Sequence, residues 1–388
     1  MKHRVAFVDG LVFDSSTESF RKVNIFCEDG YIVDMGEDSS KDGYATISLN
    51  GKHIIPGLID VHTHGIGGYD FNLANEEEVA KMCRAYAKFG TTSVMATLAS
   101  AGYSKLMNSI FAINPNRLSS KVGHANLIGI HMEGRYLNPV KKGAHNPEYL
   151  ALPNLEELDE LAQAMMPAPL HFSIAPELEG GEAFIKKAKE YGATVGVAHT
   201  NATYEEACLA LSWGATSFTH TFNAMTAIHH RMPGATTCAL TKDNAYAEVI
   251  CDGMHLHPAI VRLIYKAKPT DKLVLITDSL AAAGGPDGEY RIAGTSVIVK
   301  NGCAMDENGT LAGSTLTMFK ALKNFMSFCG LPLNKALKYA TVNPASMVGA
   351  PFVGKLEKCY RADFIVLSDI DNPEIQEVYV GGRKVENE

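Results

Sequence analysis

The sequence predicts an α/β protein: a (β/α)8, TIM-type barrel over residues 56–345, carrying a small β-sandwich assembled from both termini, residues 1–55 and 346–388. Three observations predict it. Eight short, β-rich apolar runs recur along the middle of the chain, amphipathic segments of helical period alternate with them, and both ends carry short strands with turn signals instead.

The runs, in order, are IIPGLIDV (54–61), TTSVMATL (91–98), NLIGIHM (126–132), LHFSIAP (170–176), ATVGVAHT (193–200), TSFTHTF (216–222), YAEVICDG (246–253) and KLVLITDS (272–279). Between them lie EEEVAKMCRAYAKFG, LEELDELAQAMM, GGEAFIKKAKEYG, YEEACLALSWG and HPAIVRLIYKAK, several ending at a glycine that stops a helix. Alternation of strand and helix implies a parallel sheet, and eight strands is the count that closes a barrel. At the ends, VAFVDG, VNIFCEDG and YIVDMG read as short alternating strands, and RADFIVLSD and EVYVGGRKV resume that pattern. No repeat, Pro/Gly/Ser linker or low-complexity tract marks a tethered module.

Composition narrows the function. The 388 residues are 46% hydrophobic and 20% charged, which suits a folded barrel with one appendage. A net charge of −8 argues against a nucleic-acid partner, so an anionic ligand must meet a local cationic pocket. The apolar part of MKHRVAFVDG is too short for a signal peptide and no apolar stretch is long enough for a membrane span, which excludes a membrane partner. The 8 cysteines lack a C-x-x-C pair and read as thiols in a reducing cytoplasm.

The ionisable residues gather where the runs end. His62 and His64 close the first run, His131 and Glu133 the third, His199 the fifth and His220 the sixth; Asp252 and His255 follow the seventh, and Asp278 closes the eighth. In a (β/α)8 barrel that face builds the active site. Spacing i, i+2 puts His62 and His64 on one side of their strand. Imidazoles and carboxylates are the ligands a borderline divalent metal prefers. A single strand histidine is more commonly a hydrogen-bonded core or surface side chain. Four of them on one rim with a glutamate and an aspartate would cost several kcal/mol of unpaired burial without an ion.

PGLIDVHTHG, HMEGRYLNPVKKGAHNP, VAHTNATYEEA, THTFNAMT, CDGMHLHP and LITDS, in this order, resemble the motifs of the amidohydrolase superfamily. Over almost the whole chain the set is similar to the family of N-acetylglucosamine-6-phosphate deacetylases. The resemblance implies a principal metal site of Glu133, His199 and His220, and a second site at His62 and His64 with Glu133 bridging. One or two divalent ions per subunit follow, Zn2+ or Fe2+ ahead of Co2+ or Mn2+. It further implies Asp278 as general base then general acid on water activated by the metal, and His145 of KKGAHNP as a partner of the developing oxyanion. Arg231 and His255 match phosphate-binding positions. Ala144, Asn223, Ala224, Asp252, Leu311, Ala312 and Gly313 complete the substrate set. The implied reaction releases acetate and glucosamine 6-phosphate from N-acetylglucosamine 6-phosphate in amino-sugar metabolism, and some relatives share contacts across a homodimer interface.

Plainer alternatives stand beside these roles. The His62/His64 pair could be a vestigial, hydrogen-bonded site, Asp278 a simple metal ligand, and Arg231, beside His229 and His230, a solvated loop charge. The substrate could be another N-acylated molecule, such as N-acetylgalactosamine 6-phosphate or an N-acyl amino acid, or the fold a non-catalytic scaffold. Arg135 replaces a proline frequent in relatives, a bulky cation that could alter the pocket wall; Ala198 replaces a frequent glycine. No Walker loop, G-x-G-x-x-G unit or G-x-S-x-G elbow competes.

Overall fold

The structure is a computed structural model that describes residues 3–37, 42–118 and 122–386. Eight parallel strands follow one another around a single sheet: β1 (Leu58–Thr63), β2 (Thr91–Ala99), β3 (Asn126–Glu133), β4 (Leu170–Ile174), β5 (Thr194–Val197), β6 (Ser217–Phe218), β7 (Tyr246–Ile250) and β8 (Leu273–Ile276). The ring is completed where Asp278 N–H donates to the His62 carbonyl at 2.9 Å and Thr63 bridges Ser279 in parallel. Strands covered on both faces read as unbroken apolar runs, and all nine residues of β2 are buried.

A helix follows every strand, and each buries a stripe against the sheet. Glu76–Lys88 buries Val79, Met82, Cys83, Tyr86 and Ala87, a 3.6-residue spacing, and starts at a capping box between Asn75 and Glu78. Tyr204–Trp213 starts with the same device between Thr203 and Glu206.

The first run divides. His53–Pro56 leaves the barrel and pairs antiparallel with Phe364–Leu367, and β1 begins only at Leu58. The joint is Gly57, where a Cβ would fall 2.0 Å from Thr92 Oγ1, so only glycine lets the chain pass that close to β2. The sixth run shrinks to two residues because His220 and Phe222 turn to positive φ, +33° and +81°, which ends the ladder.

The termini form two sheets. One orders Tyr31–Gly36, Asn24–Glu28, Arg4–Val8 and Ala45–Ser48. The other orders Arg383–Lys384, Ile375–Val380, Phe364–Leu367, His53–Pro56, Leu11–Asp14 and Ser19–Lys22. Phe7, Phe364 and Tyr379 pack between them with ring centroids 4.7–4.9 Å apart. Position 346, the expected boundary, lies inside the helix Val342–Val348. That helix is tied to the barrel by Asn343 Nδ2 donating to the Leu273 carbonyl at 2.7 Å. After β8 the chain adds a three-stranded antiparallel sheet, Gly288–Ile292, Thr295–Lys300 and Cys303–Met305, which the strand count did not anticipate. No helix among the described residues is long and apolar enough to cross a membrane.

Candidate metal centre and substrate cavity

β3 delivers Glu133 to the centre of the barrel mouth, and four imidazoles surround it. Glu133 Oε1 lies 3.0 Å from His220 Nε2, 3.4 Å from His199 Nε2 and 3.5 Å from His62 Nε2; Oε2 lies 3.0 Å from His64 Nε2. Asp278 Oδ1 closes the other side, 3.4 Å from His62 Nε2 and 3.2 Å from His64 Nε2. The i, i+2 reading of His62 and His64 is thus realised in space. His199, His220 and Asp278 hold φ of +42°, +33° and +49°, a left-handed backbone unusual for such residues. Each costs about 1–3 kcal/mol, strain of the kind found at functional sites.

The hydrogen bonds behind the imidazoles fix which nitrogen faces inward. His199 Nδ1 donates to the Lys141 carbonyl at 2.8 Å, so its Nε2 carries the lone pair. That lone pair points at His220 Nε2, 3.0 Å away, and at Glu133. His62 Nε2 is buried without any hydrogen-bond partner. Imidazole nitrogens and carboxylate oxygens that converge this closely need protons or a cation between them, and two imidazoles with a carboxylate match a borderline divalent ion. The electrostatics agree. Burial opposes charge on His62 and His64, yet the Glu133 and Asp278 carboxylates hold both imidazoles above their ordinary range, His64 up to about 9. Burial likewise opposes ionisation of Glu133 and Asp278, yet His62 heads the imidazoles that hold both carboxylates below theirs. The donor set demands positive charge and fits the metal.

Except for His62, which is buried behind them, these donors floor a cavity of about 570 Å3 that is also lined by Ser100, Lys141, Ala144, His145, Asn223, Ala224, His255, Leu311, Ala312 and Gly313. His145 Nε2 lies 3.7 Å from Glu133 Oε2. Ser100 N–H faces its Nδ1 at 3.4 Å, making Nδ1 an acceptor and leaving Nε2–H to point inward. Burial, then His199, lowers His145 to about 3, so it is neutral. His255 Nδ1 donates to Asp252 Oδ2 at 2.6 Å; Asp252 itself stands behind His255 and outside the cavity lining.

Arg231 is exposed on the loop after His220 and does not line the cavity of its own chain. Arg135 does not line the cavity: Nη2 pairs with Glu157 Oε1 at 3.1 Å, and its guanidinium lies 5.9 Å from the Tyr103 ring centre. His131 turns beneath the donors, its Nδ1 3.2 Å from Thr97 Oγ1 and its Nε2 hydrogen-bonded to Ser173 Oγ at 2.7 Å. Sequence reasoning missed Ser100, Lys141, the wall residues Ile292, Ala293 and Thr295 of the added sheet, and the buried Glu248 on β7. The signal for Glu248 was present: a lone carboxylate inside the apolar run YAEVI.

Among known proteins, the chain is 30% identical over 348 residues to an N-acetylglucosamine-6-phosphate deacetylase of Lysinibacillus sphaericus, covering 90% of each. It is 32% identical over 331 residues to an N-acetylgalactosamine-6-phosphate deacetylase of Escherichia coli O157:H7, covering 85% of this chain and 87% of the relative. Its structure matches a mutant N-acetyl-D-glucosamine-6-phosphate deacetylase of Mycobacterium smegmatis in complex with N-acetyl-D-glucosamine-6-phosphate. The TM-score is 0.89 at 31% identity, over 99% of this chain and 100% of that one. The Thermotoga maritima N-acetylglucosamine-6-phosphate deacetylase gives 0.87 at 29%, over 99% and 100%. The Amidohydrolase family pattern runs from residue 53, at the joint between terminal sheet and barrel, to residue 385 in the last strands, and the chain belongs to that family.

Proposed function

We propose that the protein hydrolyses the acetamide of N-acetylglucosamine 6-phosphate to glucosamine 6-phosphate and acetate. The observation that carries this reading is one cavity in which Glu133, His199, His220, His64 and Asp278 converge on the floor, with His62 buried against them, while His255 stands in the wall. Divalent cations held by Glu133, His199 and His220, and by His62 and His64 sharing Glu133, would acidify water and polarise the amide carbonyl. This N/O donor set suits Zn2+ or Fe2+, with Co2+ and Mn2+ as substitutes.

Asp278, ionised and beside the floor, accepts the proton of the attacking water and returns it to the departing nitrogen. Neutral His145 donates Nε2–H to the carbonyl oxygen as it gains charge. His255, kept cationic by Asp252, receives the phosphate, and Asn223, Ala224 and the Leu311–Gly313 segment border the sugar. Arg231 reaches a phosphate only from a second copy, so the protein acts as a homodimer in which each loop serves its partner. Ile228 and Met232, 48% and 74% exposed on the same loop, give that contact an apolar surface. The eight free thiols suit a reducing cytoplasm.

Acetate release from the phosphorylated and unphosphorylated amide tests the proposal. Faster turnover of the phosphorylated sugar is expected, and equal rates on both overturn the phosphate assignment. The galactose epimer is the second reading, favoured by the 32% identity to a deacetylase of that sugar, and competition between the epimers in the same assay decides it.

A further inference from the structure

Beneath the donors lies a carboxylate that the reaction above does not use. Glu248, on β7, is wholly buried, and among the described residues no lysine or arginine forms an ion pair with it. Its Oε2 instead accepts from His62 Nδ1 at 3.1 Å and from the backbone N–H of His220 at 3.2 Å. Its backbone carbonyl accepts from Thr221 N–H at 2.9 Å, so two consecutive amides of the turn after β6 dock on this single residue. Oε1 faces His171 Nε2 at 3.8 Å, a ring anchored by Thr194 Oγ1 at 2.8 Å from its Nδ1.

Two consequences follow from chemistry alone. A carboxylate only accepts, so the proton of the His62 bond resides on Nδ1, and Nε2, facing Glu133 and Asp278, is the nitrogen whose lone pair an ion would take in place of a proton. His220, at φ +33°, does not hold its turn by its own preference, and the bond to its N–H supplies part of what does. We infer that Glu248 is a positioning residue that selects the ligand-competent tautomer of His62 and pins the turn presenting His220, so one buried carboxylate fixes both halves of the metal centre. The inference rests on the metal reading of the His62/His64 position. Carboxylates behind ligating histidines orient the ring and raise its basicity, and their loss costs about 10–100-fold in metal affinity.

The test compares Glu248→Gln, Glu248→Leu and His62→Ala with the parent. Zn2+ bound per chain is measured against buffered free Zn2+, and the ring nitrogens of 15N-histidine-labelled protein report the His62 tautomer. Glu248→Gln keeps shape and volume, so the metal-free protein should melt as the parent does. Its Zn2+ affinity at one position should fall by about 10–100-fold, and the Nδ1–H signature of His62 should weaken. Glu248→Leu should lose the ion that His62→Ala loses. Parent-like affinity and tautomer in both Glu248 variants, with His62→Ala still losing an ion, overturn the inference alone. An unchanged ion count in His62→Ala overturns the metal reading of that position, and the inference falls with it.

Discussion

Asp252→Asn separates phosphate recognition from chemistry. Asp252 Oδ1 accepts from the backbone amides of Met254 and His255 at 2.8 and 2.9 Å, and asparagine keeps an oxygen there, so the loop retains its shape. What changes is Oδ2, the acceptor 2.6 Å from His255 Nδ1, in a pair whose side chains are only 6% and 8% exposed. In the parent, burial opposes the His255 charge, but Asp252 overrides it, with help from Asp278, and raises the imidazole above its ordinary value. A raised histidine is charged at low pH and loses its charge as pH climbs through the folded value. Without Asp252 the burial effect prevails, the value falls, and the cation disappears at lower pH. A hydrogen bond to a charged group is worth about 1.5–3 kcal/mol, so kcat/KM for the phosphorylated sugar should fall about 10- to 150-fold near pH 7.5. The basic limb of its profile should move toward lower pH. Turnover of the unphosphorylated amide should fall far less, since the pair reaches the floor of the cavity only through the charge interaction of His255 with Asp278. The assay is acetate release from both sugars across about pH 6–9. Equal losses on both, or an unmoved limb, would refute the assignment of His255 to phosphate.

Asp278→Asn should keep its metal content and lose about 10^2–10^4-fold in kcat, and retained turnover would remove Asp278 from proton transfer. Chelation should lower the thermal midpoint by the equivalent of about 3–4 kcal/mol of lost ligand binding at 100–1000 times Kd. The metal-free protein should then weaken further as pH rises through about 9, where His64 loses the proton that balances Asp278 and Glu133, whereas the loaded protein should not. Gly65→Ala would set a Cβ 2.2 Å from the Tyr69 carbonyl oxygen and 2.9 Å from Ala281 N. It should cost about 1–3 kcal/mol in a denaturant titration, and no change would show that this corner can yield. Arg231→Ala should raise KM for the phosphorylated sugar only if the dimer forms, which sedimentation of the same sample checks.

The barrel and its rim were legible because a closed parallel sheet converts sequence position into depth. Each run ends at the same face, so polar residues at run ends must meet, and Glu133, His199, His220, His62, His64 and Asp278 do. The sequence could not place Arg231 and Arg135 for one reason: both follow a ligand by a loop of undefined direction, and nothing in a loop's composition says whether it turns inward. The added sheet at 288–305 escaped because its alternating residues resemble those of the terminal sandwich, while its place after β8 follows from connectivity alone.

Polarity inside a run carries different information from polarity at its end. A carboxylate at a strand end meets water, metal or substrate, whereas one in mid-strand of a closed barrel meets only other strands and must find donors there. Glu248 finds them in the ring of His62 and the backbone of His220, residues separated from it by 186 and 28 positions. Histidine at a strand end therefore signals that a ligand is available, but a buried acceptor one layer below decides which nitrogen is offered. Those acceptors differ here for each imidazole: a carboxylate for His62 and a backbone carbonyl for His199. The carboxylate belongs to the sequence pattern and could be sought as a lone acid in an apolar strand. The carbonyl belongs to the path of the backbone at Lys141 and has no signature in side-chain type.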